Sequence, residues 1–196
     1  MKFAFCVEDE TDEAIFAAIL GKILGADITP DDQTYRFPPG GWTQALRLAY
    51  LVARRAYHGG LDGAVFAIDN DGAIEHEMAH SRVTDCRVCQ LKVAASIDDP
   101  LSWPRPALPP LRYFFAVPVQ AVETWLLLVR GHVFQGRPEG IGVDATGRRL
   151  LKRWLYGDEN PRRERMLEVA IPLAAQLEPD VLASASRSFA DLFTQR

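Results

Sequence analysis

Acidic side chains follow two short apolar segments of the chain, at the point where each segment ends. Residues 3–7 and residues 64–68 have the length and the β-branched and aromatic content of strands buried in a parallel sheet. The acids are Glu8 and Asp12 after the first segment and Asp69 and Asp71 after the second. Because chemistry collects at the carboxyl ends of such strands, we expect these carboxylates to lie close together. Carboxylates in a cluster repel one another unless a cation neutralises them, and Mg²⁺ or Mn²⁺ prefer such oxygen ligands. The pattern predicts a divalent-metal site for phosphate chemistry.

The elements around these acids follow from the periodicity of the chain. Strand, helix, loop, helix and strand succeed one another over residues 3–68, which predicts a parallel sheet with right-handed crossovers. A third strand is expected at residues 111–117, followed by a helix over 119–130 that carries Glu123 in its first turn or two. The other expected elements are helices at about 9–21, 42–58, 90–97, 148–156, 162–178 and 179–193, and a short strand near 35–37.

Length and composition define the class of protein. The chain has 196 residues, of which 48% are apolar, and this suits one α/β domain with a helical appendage. We expect a domain over residues 1–135 with an insertion at about 72–90, and a helical extension over 136–196 packed on it. No apolar run approaches the roughly 18 residues of a membrane helix, and the beginning does not resemble a signal peptide. The sparse cysteines suggest a reducing cytoplasm. The net charge of −4 argues against coating of nucleic acid by bulk electrostatics, though not against a nucleic-acid enzyme.

A second group of potential metal ligands lies in the expected insertion. Its members are His76, His80, Cys86 and Cys89, spaced as His-x3-His-x5-Cys-x2-Cys. The whole chain has only four histidines and three cysteines, so this concentration favours a structural zinc site. Chance proximity of surface side chains is the alternative. A thioredoxin-like role for the two cysteines is disfavoured because no strand precedes them in the way that such a site needs.

Several of these segments resemble motifs of the Toprim family, which includes topoisomerases, bacterial primases and OLD-family nucleases. Residues 8–12, Glu-Asp-Glu-Thr-Asp, resemble the Glu-Gly-x-Thr-Glu of the OLD-like branch, with Asp9 in place of the glycine. Residues 69–71 match its Asp-x-Asp. The Glu123-Thr-Trp-Leu-Leu segment and the Ser186-Arg-Ser-Phe segment resemble small standalone bacterial Toprim-like proteins.

The resemblance implies a Toprim or Rossmann-like fold and Mg²⁺-dependent or Mn²⁺-dependent hydrolysis of DNA or RNA. It implies that Glu8 is a metal ligand and a candidate general base, and that Asp69 and Asp71 are metal ligands. Asp12 and Glu123 would support them or bind a second metal. It further implies a role in bacterial antiphage defence beside an ATPase partner. Apart from the resemblance, the lack of a long apolar run predicts no membrane attachment, and a homo-oligomer stays open.

Other interpretations of the same residues stay open. The acids at residues 8–12 could merely stabilise a helix N-terminus, and residues 69–72 could be an ordinary turn. Lys152 and Arg153 fit solvated helix positions better than a phosphate contact. A non-catalytic module that holds a regulatory metal or a basic segment of a partner is the alternative function, and nucleotidyl transfer is a third.

Overall fold

The computed structural model describes residues 1–37, 41–69, 76, 86–95, 111–118, 122–136 and 145–195. The strands within these residues are β1 (Lys2–Val7), β2 (Thr29–Pro30), β3 (Tyr35–Arg36), β4 (Gly63–Ala67) and β5 (Arg112–Ala116). The helices are α1 (Glu10–Leu24), α2 (Trp42–His58), α3 (Arg87–Ala94), α4 (Val122–Val129), α5 (Ala145–Tyr156), α6 (Arg163–Gln176), α7 (Pro179–Ala185) and α8 (Arg187–Phe193).

The strands form one parallel sheet in the order β2-β1-β4-β5, with β3 also paired to β1. Phe3 is in register with Gly63, and Ala67 is in register with Ala116. A Cβ atom at Gly63 would collide with the Arg112 carbonyl oxygen and the Phe3 ring, so only glycine fits there. The expected α/β architecture with a mostly parallel sheet is confirmed. Because β1, β4 and β5 are parallel neighbours, their carboxyl ends lie side by side.

Both faces of the sheet are covered by helices. Alternate residues of each strand point to opposite faces, which explains why β1 and β4 are apolar throughout. One face packs against α1 and against α4 to α8, around Phe3, Phe5, Phe114 and Trp125. The other face packs against α2 and α3, around Cys6, Phe66 and Phe115. The carboxyl edge is therefore bordered by helices from both layers.

Helix α1 begins where the acid segment predicted it and ends later than expected. The Asp9 side chain caps its N-terminus by accepting hydrogen bonds from the backbone N–H groups of Thr11 and Asp12. The predicted end at Gly21 is wrong, because the helix continues to Leu24 and terminates at Gly25 with φ of 63°. Gly21 instead allows the close approach of the Ala26 carbonyl oxygen.

Other elements confirm or correct their predicted bounds. Helix α2 spans the expected residues and is followed by the Gly59-Gly60 pair. Helix α3 begins at Arg87 rather than at residue 90. The single helix expected over 179–193 is wrong: Ser186 has extended backbone, which ends α7, and its hydroxyl accepts from the Phe189 N–H to cap α8.

The exposed edge of β5 is occupied by a side chain from the end of the described chain. The carboxamide of Gln195 accepts a hydrogen bond from the Phe115 N–H at 2.7 Å and donates one to the Phe115 carbonyl at 3.5 Å. It occupies backbone groups that would otherwise be available to another strand.

Among the described helices, none combines the length and the apolar character needed to span a bilayer.

Candidate functional site

The described acids at the carboxyl edge of the sheet form a group that we call the acid rim. Its members are Glu8, Asp12, Asp69 and Glu123. Glu8 follows β1 directly, and Asp69 lies two residues beyond the end of β4. Asp12 lies in the first turn of α1, and Glu123 is the second residue of α4, the first described helix after β5. Three neighbouring strands therefore each deliver an acid to the same edge.

The capping interpretation of residues 8–12 applies to one residue of the segment. The Asp9 carboxylate accepts from the Thr11 N–H at 2.6 Å and from the Asp12 N–H at 3.0 Å. The Glu10 carboxylate forms ion pairs with Arg36 and Arg163. The cap and these ion pairs leave Glu8 and Asp12 as the acids of this segment that belong to the rim.

Asp12 lies in strongly unfavourable surroundings for a carboxylate. Burial, followed by the negative charges of Asp9, Glu8 and Glu123, raises its pKa to about 8. This effect of Glu8 and Glu123 shows that the acids from β1, α1 and α4 share one local environment. A bound cation would offset the repulsion among them.

Glu123 is the most deeply buried acid of the rim, with 4% of its surface exposed. Burial raises the pKa of its carboxyl, while the nearby Lys152 ammonium acts in the opposite direction. A buried carboxylate that carries charge costs several kcal/mol unless it is paired or bound to a metal. Its position in the first turn of α4 gives it the favourable end of the helix dipole.

Helix α5 adds a lysine and a tyrosine to the surroundings of the rim. Lys152 lowers the pKa of both Asp12 and Glu123, so its charge faces the acids. Burial and then the charges of Glu123 and Asp12 raise the pKa of the Tyr156 hydroxyl. Tyr156 is 3% exposed, and its hydroxyl lies beside the Glu123 carboxylate, which raises the pKa of the hydroxyl both by its charge and as a hydrogen-bond partner.

These two residues are what sequence reasoning failed to identify. The sequence pattern favours a solvated helix position for Lys152, whereas its ammonium lies close enough to lower the pKa of Asp12 and of Glu123. No sequence pattern points to Tyr156. Their spacing of four residues puts them on one face of a helix. That spacing is the only available signal, and it does not say which face meets the acids.

The acid that follows β4 is tied to the opposite layer. The Asp69 carbonyl accepts a hydrogen bond from the Arg87 guanidinium at 2.8 Å. The same guanidinium lies 5.0 Å from the centre of the Trp42 ring, in a cation–π arrangement. Asp71, the other half of the Asp-x-Asp motif, lies outside the described residues.

Three of the four residues proposed for zinc come together. The Nδ1 atom of His76 lies 3.3 Å from Cys86 Sγ and 3.6 Å from Cys89 Sγ. Ligands at ordinary Zn–N and Zn–S lengths around a tetrahedral ion are about 3.5 Å apart, so the two distances fit a shared metal. Cys86 is buried and the other two are half-buried. This cluster could bind a metal such as zinc. The fourth residue, His80, lies outside the described residues.

The two groups differ in how tightly their ligand atoms are gathered. Across the described ranges, His76, Cys86 and Cys89 are the only three such residues whose ligand atoms all lie within 4.8 Å of one another. The acids of the rim do not meet that limit. The rim is therefore an open arrangement of oxygen donors, and the His/Cys cluster is a compact one.

The Ser186-Arg187-Ser188-Phe189 segment packs against the helix that carries Glu123. Ser188 Oγ accepts a hydrogen bond from the buried Trp125 indole N–H at 3.0 Å and lies 3.2 Å from Ser186 Oγ. The Phe189 ring packs edge-on against the Trp125 ring. Since Trp125 is two residues from Glu123, these contacts fix the helix that delivers the buried acid.

Comparison with known proteins identifies no relative: no family model, no curated protein and no solved structure matches the chain.

Proposed function

We propose that the chain is a Mg²⁺-dependent nuclease that hydrolyses phosphodiester bonds of DNA or RNA at the acid rim. The observation that carries the proposal is the convergence of Glu8, Asp12 and Glu123 from three segments, with the charges of Glu8 and Glu123 raising the pKa of Asp12. Carboxylates gathered in this way favour a metal site, because a bound cation offsets the repulsion among them.

The donor set suits Mg²⁺ or Mn²⁺. All the rim ligands are carboxylate oxygens, which hard cations prefer. The open spacing of these acids is also compatible with a bound Mg²⁺, since this ion keeps several waters and is commonly held by one or two carboxylates. Glu8, Asp69, Asp71 and Glu123 would hold the ion, with Asp12 in support. When bound, the ion would polarise the phosphoryl oxygens and lower the pKa of the attacking water.

The remaining groups of the chain have separate tasks in this proposal. The Lys152 ammonium faces the acids and would offset the charge of a phosphate that approaches them. Glu8 follows β1 directly and is half-buried, so it would be accessible to accept a proton from the attacking water. The fixed positions of α1 and α4 hold these groups without rearrangement at the moment of reaction.

The biological setting is proposed from the resemblance alone. A Toprim-like nuclease of this size would serve in bacterial antiphage defence, and an ATPase partner would supply part of the grip on the substrate. The net charge of −4 agrees with this division of labour, because the chain lacks the positive excess of a protein that binds nucleic acid by itself.

A second candidate function has one observation in its favour. The acids of the rim are too far apart to form a closed three-ligand site among the described residues. An open acidic edge can also hold a regulatory metal or a basic segment of a partner without catalysis. In that case the purified chain would bind Mg²⁺ or Mn²⁺ but would not hydrolyse nucleic acid.

The decisive experiment is a metal titration of hydrolysis by the purified chain. Supercoiled plasmid DNA and single-stranded RNA are the substrates, with Mg²⁺ or Mn²⁺ added and EDTA as the metal-free condition. We expect metal-dependent cleavage of one substrate. Changing Asp69→Ala together with Asp71→Ala, or Glu8→Gln alone, should reduce the rate about 100-fold or more.

The matched control is Glu164→Gln, which removes an exposed carboxylate in the first turn of α6. It should leave the rate unchanged. Cleavage that survives the double change at residues 69 and 71, or that persists in EDTA, would show that the assigned site is wrong.

We further propose zinc as the occupant of the His/Cys cluster, with His80 as fourth ligand. Thiolate and imidazole donors favour zinc over magnesium, so the two sites would not compete for the same ion. The role is structural, because a site with four protein ligands has no open position for a substrate.

A further inference from the structure

One of the two residues between the thiols of the His/Cys cluster contacts the acid rim. Arg87 follows Cys86 and opens α3. Its Nη1 atom donates to the Asp69 carbonyl at 2.8 Å, which fixes the backbone of an acid proposed as a metal ligand. The Trp42 ring lies 5.0 Å beneath the same guanidinium. The direction of Arg87 is therefore constrained by α2 and by the end of β4.

The cluster also fixes the start of the helix that carries Arg87. Cys86 is the N-cap residue of α3 and has no side-chain capping hydrogen bond, and Cys89 lies in the first turn. Cys86 packs in the same buried cluster as Phe66 and Ile68, which precede Asp69. A metal held by both sulfurs would lock the first turn of α3 against β4.

A second connection leaves the cluster through His76. The His76 carbonyl accepts a hydrogen bond from the Arg187 guanidinium at 3.2 Å. Arg187 precedes Ser188, which binds Trp125 near Glu123. The His/Cys cluster is thus linked to the segment of Asp69 through Arg87, and to that of Glu123 through α8.

We propose that metal bound by His76, Cys86 and Cys89 positions the acid rim through Arg87, so that the affinity of the rim for its own cation depends on the occupancy of the His/Cys cluster. Arg87 is a positioning residue in this scheme and contacts neither the substrate nor the rim cation. The inference rests on the proposed function in that it takes the rim to be a cation site.

The test compares variants of the full chain by two measurements that do not require catalysis. Elemental analysis gives the zinc content, and titration with Mn²⁺ followed by electron paramagnetic resonance gives the affinity of the rim. Mn²⁺ reports on the rim because it prefers oxygen donors to thiolates. The variants are Arg87→Gln, Cys89→Ser and His76→Ala, with Lys92→Gln as control. Lys92 lies on the same helix, with its ammonium 5.8 Å from the centre of the Phe115 ring.

We expect about one zinc per wild-type chain. Arg87→Gln should keep that zinc and weaken Mn²⁺ binding about tenfold, the usual effect of losing one hydrogen bond from a charged donor. Cys89→Ser and His76→Ala should lose the zinc and show the same weakening. Lys92→Gln should change neither the zinc content nor the affinity for Mn²⁺. Thermal melting of Arg87→Gln separates positioning from general destabilisation, since the proposal predicts weaker Mn²⁺ binding at a temperature where the variant is fully folded.

The possible failures are distinguishable. Unchanged Mn²⁺ affinity in folded Arg87→Gln, or in zinc-free Cys89→Ser, would overturn the coupling and leave the nuclease proposal intact. A wild-type chain without zinc, with the rim still binding Mn²⁺, would overturn the coupling and the proposed zinc, and would leave the nuclease proposal intact. A zinc-loaded wild type that binds no Mn²⁺ would overturn both proposals.

Discussion

The indole N–H of Trp125 donates a hydrogen bond to the hydroxyl of Ser188 at 3.0 Å, and this pair joins α4 to α8. Both residues are buried, and Trp125 is fully so. The contact lies beneath the helix turn that presents Glu123. It explains the Ser-x-Ser-Phe segment as a structural support of the rim, with no direct part in chemistry.

The change Ser188→Ala should destabilise the protein, because it leaves a buried indole N–H without an acceptor. We expect a loss of about 2 kcal/mol in the free energy of unfolding, measured by urea denaturation with tryptophan fluorescence. The control is Ser184→Ala on α7, where the exposed hydroxyl donates only to the Asp180 carbonyl of its own helix. The free energy of unfolding of that variant should stay close to the wild-type value. Equal stability of the two variants would contradict the role assigned to Ser188.

The change Glu123→Gln should raise stability and strongly reduce the proposed hydrolysis. Burial raises the pKa of the wild-type carboxyl, so its charged form is costly, whereas a neutral carboxamide keeps an oxygen that can accept from the Tyr156 hydroxyl. We expect a higher Tm in EDTA and a fall of about 100-fold in metal-dependent hydrolysis. A lower Tm with full activity would remove Glu123 from the site.

The stability of the metal-free protein should fall as the pH rises from about 4 to about 8. The pKa of Asp12 is raised from 3.8 to about 8 in the folded state, so over this range the unfolded chain has released a proton that the folded chain retains. Asp12→Asn removes this contribution. In EDTA, the variant should therefore be more stable than wild type at pH 8 and should match it near pH 4. If the stability of the two proteins in EDTA changed with pH in the same way, the raised pKa assigned to Asp12 would be contradicted.

Asp31 should make the stability of the protein depend on pH in the opposite direction, and in the acid range. Its carboxylate accepts from the Arg55 Nε at 2.6 Å and lies 3.0 Å from the Lys2 ammonium. The Arg55 and Lys2 partners hold its pKa at about 2, below the ordinary 3.8. Its stabilisation is therefore complete above pH 4 and is lost as the pH falls toward 2.

Asp31→Asn should cost about 1 kcal/mol at pH 7, a modest value because both partners are partly exposed to solvent. The same substitution should cost less at pH 2.5, where the wild-type carboxyl has begun to protonate. Urea denaturation at the two pH values measures both costs. Asp32→Asn is the control: its carboxylate is almost fully exposed and lies 3.6 Å from Lys2. A cost for Asp31→Asn that does not change with pH would contradict the ion-pair explanation.

Much of the architecture could be predicted because it depends on local patterns. Apolar runs as long as β1 and β4 have to be buried on both faces, and a parallel sheet is the arrangement that does this. Helix α2 could be bounded correctly from its apolar spacing and the following Gly59-Gly60 pair. Helix α1 ran past Gly21 because packing against Ala26, rather than local propensity, fixes that glycine. The break at Ser186 was missed because a capping serine resembles any other serine in an apolar helical pattern.

The sequence by itself determined which chemistry is available: carboxylates at the ends of parallel strands, and a separate group of histidines and thiols. These follow from residue type and spacing, since a strand end fixes where its next side chain lies. Only the tertiary structure decided that Lys152 and Tyr156 face Asp12 and Glu123, and that Arg87 connects the thiols to Asp69. These relationships depend on how helices distant in sequence pack on the sheet, and that packing is set by the fit of whole apolar faces rather than by any local pattern.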